Sequence, residues 1–137
     1  MDTATLPNDY EFVYTDIQPE EVNELRQKFG WNPDTAERWR QCLVESIVVG
    51  VRHNQALVGI SFIAGNARHG VLCDLSIDPN HKDQGLAETI IQETLRLAKE
   101  KGMRYFYLHM SGPSPLRKTY LALGFQDTGG SLFRNDS

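Results

Sequence analysis

VLCDLSIDPNHKDQGLAETIIQETLRLAKEKG, from Val71 to Gly102, reads as a buried strand, a polar loop with one glycine, and a long amphipathic helix. Val71, Leu72, Leu75 and Ile77 form a short apolar run, bounded by Gly70 before it and Asp78-Pro79 after it, as a strand requires. Leu86, Ala87, Ile90, Ile91, Thr94, Leu97 and Ala98 then recur at three- and four-residue steps, the spacing of one helical face. Glu88, Glu93, Arg96, Lys99 and Glu100 fall on the opposite, polar face. Gly102 follows cationic residues suited to the negative end of the helix dipole and supplies a left-handed stop.

Between strand and helix lies Lys82-Asp83-Gln84-Gly85-Leu86-Ala87. A polar turn that opens directly into a helix gathers unpaired backbone N–H groups, which is how proteins hold phosphate oxygens. An ordinary strand-to-helix turn has the same composition, so the loop alone leaves both readings open.

Working outward, the 137 residues are read as one domain, with residues 1–9 flexible. A hydrophobic content of 40% and a charged content of 23% are ordinary for a soluble globular chain. No apolar run reaches membrane-spanning length, and MDTATLPNDYEF lacks a basic-then-apolar leader, so a cytoplasmic location and no membrane partner are expected. Cys42 and Cys73 show no metal-ligand spacing and read as small buried apolar residues, with no metal expected. A net charge of −4 argues against nucleic acid as a partner.

Tyr10–Tyr14 is a strand candidate. A helix from Asp16 to Gly30 is marked by Pro19 near its start and by the stripe Val22, Leu25 and Phe29. Asp34 is the expected cap of a second helix running to about Val44, with Ala36, Trp39, Leu43 and Cys42 inward. These helices carry no catalytic signature and are read as a cleft wall. Ser46–Arg52 and Leu57–Ala64 form a β-branched hairpin, and Gly65–Gly70 turns into the Val71 strand. His53, His69 and His81 fall in expected turns and are read as solvent-facing. Tyr105–Met110 follows the long helix and should lie parallel to the Val71 strand. In SGPSPLRKTYLALGF, Ser114-Pro115 starts a helix with Leu116, Thr119, Tyr120 and Leu123 on one face, and Gly124 stops it. Phe125–Thr128, Gly129-Gly130 and Ser131–Phe133 read as a closing hairpin with a short last strand, whose edge could pair in a homodimer.

The order of elements and two spaced motifs resemble the GNAT superfamily of N-acetyltransferases. The family's first motif is an apolar-x-apolar strand end, Asp-Pro, and then Arg/Gln-x-x-Gly-x-Gly/Ala opening a helix. Leu75-Ser76-Ile77, Asp78-Pro79 and Lys82 to Ala87 occupy those places. Its second motif, an aromatic-Tyr-x-x-x-Gly-Phe run near the C-terminus, is matched by Tyr120, Gly124 and Phe125. Lys82 stands where Arg or Gln is usual, and Asp83 where glycine is common, which sets a carboxylate beside the proposed pyrophosphate site.

The resemblance implies an α/β (α+β) fold. A mixed, mostly antiparallel twisted sheet of about six to seven strands would be flanked by about four helices, with a parallel pair splayed at the acyl-CoA site. It implies transfer of an acetyl group from acetyl-CoA to a primary amine by direct attack, in a monomer or homodimer. Leu75, Ser76 and Ile77 would hold the pantetheine arm through main-chain groups. The amides of Lys82, Asp83, Gln84, Gly85, Leu86 and Ala87 would hold the pyrophosphate. Tyr120 would protonate the departing thiolate, its phenol being neutral at physiological pH. The base stays open: His109 could act directly or through water. Asp74 is a second candidate, although strict alternation sets it on the face opposite Val71, Cys73 and Leu75. Neither cysteine matches a nucleophile position, so no covalent enzyme intermediate is expected. Two competing readings are a non-catalytic acyl-CoA-binding module of the same fold and, more weakly, a nucleotide-binding domain. The acceptor amine has no readable code in the sequence.

Overall fold

The computed structural model describes residues 5–110, 114–129 and 131–137. Residues 1–4 of the expected flexible start, Ser111 to Pro113 of the second motif stretch and Gly130 of the last turn lie outside the described residues. The elements are β1 (Tyr10–Val13), α1 (Pro19–Phe29), α2 (Ala36–Glu45), β2 (Ile47–His53), β3 (Ala56–Gly65) and β4 (His69–Ile77). A 3-10 turn (Pro79–Gln84) then leads to α3 (Leu86–Glu100), β5 (Tyr105–His109), α4 (Leu116–Ala122), β6 (Gln126–Asp127) and β7 (Ser131–Asn135).

The seven strands form one sheet in the order β1-β2-β3-β4-β5-β7-β6. All neighbours are antiparallel except β4 and β5. This is the expected mixed, mostly antiparallel sheet with one parallel pair. The expected short last strand is corrected: β7 runs five residues and is paired on both sides, by β5 and by β6. The short edge strand is β6, two residues long.

Local chemistry explains the boundaries. Pro19 occupies the first turn of α1, Glu21 accepts the Gln18 N–H at 2.9 Å, and Gly30 closes the helix at φ +97°. Thr35, not Asp34, caps α2, its hydroxyl accepting the Arg38 N–H at 3.2 Å. Asp34 stands one residue too early and instead accepts the Thr35 N–H at 2.7 Å. Ser114 Oγ accepts the Leu116 N–H at 3.2 Å at the start of α4, and Gly124 follows that helix at φ +95°.

The sheet buries both faces. On one, Leu86, Ile90, Ile91, Leu95 and Ala98 of α3 pack against Val49, Val51, Leu72, Leu75, Ile77 and Phe106. Each large side chain buried there contributes about 1.5–3 kcal/mol. Gly59 permits the close approach, because a Cβ at that position would lie 2.6 Å from Ile90 Cδ1. On the other face, Val22, Leu25 and Trp39 of α1 and α2 cover Val48, Ile60 and Phe62.

Two expectations on polar residues are corrected. Glu93 is buried rather than solvent-facing, at 4% exposure. Arg96 grips it at 2.6 and 2.8 Å, and the Tyr14 hydroxyl donates to it, so the charge is compensated at the helix surface. His53, His69 and His81 are half-buried rather than solvent-facing. His69 opens β4 and stacks on Tyr105 and Tyr107, and His53 lies 4.9 Å from the His81 ring, which takes a 2.7 Å hydrogen bond with Tyr10.

Candidate active site

The parallel pairing of β4 and β5 covers only His69, Gly70 and Val71 of β4, against Tyr105, Phe106 and Tyr107. Beyond Val71 the strands part, and the main chain of β4 up to Ile77 faces an opening instead of a neighbour. A polar backbone edge left in this way requires a partner from elsewhere.

Between the parted ends lies a cleft of about 320 Å³, lined among others by Cys73, Asp74, Leu75, His109, Ser114 and Tyr120. Phe29, Ser114 and Leu116 also wall a longer groove of about 550 Å³ that runs past Ile77 to Lys82, Asp83 and Ala87. The groove therefore leads from the cleft to the start of α3. There Gly85 adopts φ +68°, and the Thr89 N–H is the first to reach an i−4 carbonyl, that of Gly85 at 3.2 Å. The N–H groups of Leu86, Ala87 and Glu88 precede that ladder, as in any helix first turn.

The residues singled out from the sequence separate into groups. Tyr120, His109, Asp74 and Leu75 share the cleft, and Ile77, Lys82, Asp83 and Ala87 share the groove. Ser76 is buried in the sheet, its hydroxyl donating to the Asp74 carbonyl at 3.3 Å. The Leu86 side chain is committed to the core, so only its backbone is available to a ligand. Gln84 and Gly85 are exposed, and the Asp83 side chain stands exposed on the groove wall beside Lys82.

Asp74 departs from the alternation rule. The pairing of β3 with β4 shifts between Ile60 and Phe62, so β4 carries one extra residue there, and Asp74 takes φ +57°. Leu72, Leu75 and Ile77 consequently all face α3. Asp74 turns toward α1, where Arg26 Nη1 meets its Oδ1 at 2.9 Å. Its carboxylate thus stands on the Cys73 side of the sheet, contrary to the even count along the strand.

Tyr120 is 5% exposed, packs edge-on against Phe125 at 5.6 Å and reaches the cleft. Among the described residues its hydroxyl makes no hydrogen bond. Burial, and secondarily the nearby Cys73, push the phenol up to about 12. Burial, followed by Asp74 and Cys42, likewise raises the Cys73 thiol to about 11, so this cysteine is a thiol at neutral pH and a poor nucleophile. Sequence reasoning overlooked Cys73, Phe29, Trp31 and Arg26 as site residues. The first two read simply as apolar residues, and no periodicity marks an arginine at the end of α1.

A twisted mixed sheet, split at its one parallel pair above a helix N-terminus, is the architecture of acyl-CoA-dependent N-acetyltransferases. The sequence profile of the Acetyltransferase (GNAT) family matches residues 10–125, and the chain belongs to that family. No curated protein matches it by sequence. Among solved structures it resembles the ribosomal-protein-S18-alanine N-acetyltransferase from Escherichia coli, at 12% identity and TM-score 0.80, over 93% of this chain and 94% of that one. It also resembles Ard1 from Thermoplasma volcanium, at 12% identity and TM-score 0.82, over 94% and 99% of the two chains. An aminoglycoside 6'-N-acetyltransferase complexed with coenzyme A matches at 11% identity and TM-score 0.81, over 93% and 97%. At these identities the likeness establishes the shared fold.

Proposed function

We propose that the chain is an N-acetyltransferase that moves the acetyl group of acetyl-CoA to a primary amine by direct attack in a ternary complex. In this reading the pantetheine arm lies in the groove against the open edge of β4, and the pyrophosphate meets the first-turn amides of α3. The acetyl group reaches the cleft. The amine nitrogen attacks the thioester carbonyl carbon, a C–N bond forms, and the oxyanion takes a hydrogen bond from a β4 N–H. Such a donor is worth about 2.7–4 kcal/mol in the transition state. The C–S bond then breaks, and Tyr120 gives its proton to the departing sulfur. The proton lost by the amine passes to Asp74, His109 or water and returns to the phenolate. No metal takes part, and the work is done in the cytoplasm by a monomer or homodimer.

One observation carries the reading: a buried phenol without a hydrogen-bond partner among the described residues faces the space between two strands that have parted. Thiol release from acetyl-CoA, measured against a panel of primary amines, tests it. Tyr120→Phe should lower turnover about 100-fold while coenzyme A binding stays within twofold. Equal loss of binding and turnover would make the tyrosine a packing residue.

A second reading is favoured by Asp83 on the groove wall: a module that binds acyl-CoA without efficient transfer. Calorimetric binding of coenzyme A with no turnover on any amine would decide for it.

A further inference from the structure

Arg26 is held in an unusual way for a helix arginine. Its guanidinium lies 5.0 Å from the ring of Trp31 and 5.0 Å from the ring of Trp39. Its Nε donates to the Asn32 carbonyl at 3.0 Å, and Nη1 donates to Asp74 Oδ1 at 2.9 Å. Trp39 is itself fixed, its indole N–H donating to Asn23 Oδ1 at 2.8 Å. The guanidinium side chain is only 15% exposed, whereas that of Asp74 is 35% exposed. One end of this ion pair is therefore locked, and the other opens to solvent.

The open end lies at a junction. Asp74 lines the cleft that contains Tyr120, and it also lines a second cavity of about 410 Å³ between α1, α2 and β4. Among the described residues it is the one common to both. It reaches that place only because the bulge gives it φ +57°, a conformation Asp tolerates better than most side chains. With Oδ1 engaged by Arg26, Oδ2 is left to address whatever enters from the second cavity toward the cleft.

We propose that Arg26 is a positioning residue for acetyl transfer: clamped between Trp31 and Trp39, it fixes the Asp74 carboxylate where the acceptor's amine passes from one cavity to the other. Asp74 accepts a hydrogen bond from the amine, aims its lone pair at the thioester carbon, and takes the proton released as the C–N bond forms. This proposal rests on the acetyltransferase reading. It predicts a dependence of acceptor kinetics on a side chain that lines the second cavity and acts through Asp74 rather than on the reacting atoms.

The experiment is steady-state acetyl transfer to n-butylamine and 1,4-diaminobutane, chosen as compact probes, with Arg26→Gln, Asp74→Asn, the double variant and Trp31→Leu. Asp74→Asn should lower kcat/KM for the amine at least 10-fold, and Arg26→Gln nearly as much, with KM for acetyl-CoA unchanged within twofold. The double variant should be no worse than Asp74→Asn alone, because both changes remove one function. Trp31, 41% exposed, can be changed without emptying the core, and Trp31→Leu should give a smaller loss in the same parameter. Additive losses, or losses confined to thermal stability or to KM for acetyl-CoA, would overturn the proposal and leave the acetyltransferase reading standing. A wild-type protein that transfers acetyl to neither probe nor any wider amine panel would overturn both.

Discussion

Under α3 the sheet is covered by Leu86, Ile90, Ile91, Leu95 and Ala98, an apolar layer that helical periodicity describes. Under α1 and α2 it is covered by Val22, Leu25 and Trp39, but the same wall also holds Arg26, Asn23 and Asp74 in a chain of hydrogen bonds and ring contacts. The first face positions the groove that leads to the start of α3. The second borders the cavity from which an acceptor would come. One face is interchangeable apolar volume, and the other depends on particular groups meeting at particular distances. Substitutions should therefore act through stability on the α3 face and through function on the α1 side.

The largest effect expected is on the α3 face. Ile90 is fully buried against Gly59, so Ile90→Ala should destabilise the fold by about 2–5 kcal/mol, read from urea unfolding. A loss below 1 kcal/mol would mean that the helix is not seated as described. Tyr120→Phe sharpens the contrast, because it removes one oxygen from the cleft and should cost about 100-fold in kcat with little change in unfolding. The wild-type phenol, raised to about 12, stays neutral across the usual range, so its contribution to turnover should fade only as pH approaches that value.

A smaller effect is expected at Glu21. Arg52 grips its carboxylate at 2.6 and 3.1 Å, and this hydrogen bonding, with help from the Gln18 N–H, holds the group below the usual carboxylate range. A carboxyl lowered in the folded state binds its proton less readily there than in the unfolded chain. The stability it adds is therefore complete above its unfolded value near 4.3, and is lost as pH falls through the lower folded value. Glu21→Gln should flatten the acid limb of stability by about 1 kcal/mol in thermal melts from pH 6 to pH 3. The smallest effect belongs to Asp83, exposed on the groove wall. Asp83→Asn should tighten coenzyme A binding a few-fold at low salt, and the gain should vanish at high ionic strength as screening removes the repulsion.

Much of the architecture was legible because it follows from period and punctuation. The β4 strand, the glycine at Gly85 and the stripe from Leu86 to Ala98 lie where the residue pattern places them, and Tyr120 falls on the inner face of α4 ahead of Gly124. The misreadings have physical causes. Alternation assumes an unbroken ladder, and nothing in Cys73-Asp74-Leu75 announces a bulge, since the positive φ is taken by Asp rather than by Gly. Glu93 reads as a surface residue because its burial depends on Tyr14, far away in the chain, and on Arg96 closing over it. Asp34 and Thr35 are both good caps, and one residue of register decided between them. The Arg26 clamp needs two tryptophans brought together by the turn between α1 and α2, a tertiary fact with no local signature.

The central claim is that acetyl-CoA lies across the parting of β4 and β5 with its sulfur at Tyr120. A crystal structure of the protein with coenzyme A tests it most directly. The account predicts pyrophosphate oxygens on the N–H groups of Leu86 to Glu88, and the thiol within about 3.5 Å of the Tyr120 hydroxyl. Coenzyme bound elsewhere, or a phenol turned away from the sulfur, would contradict it.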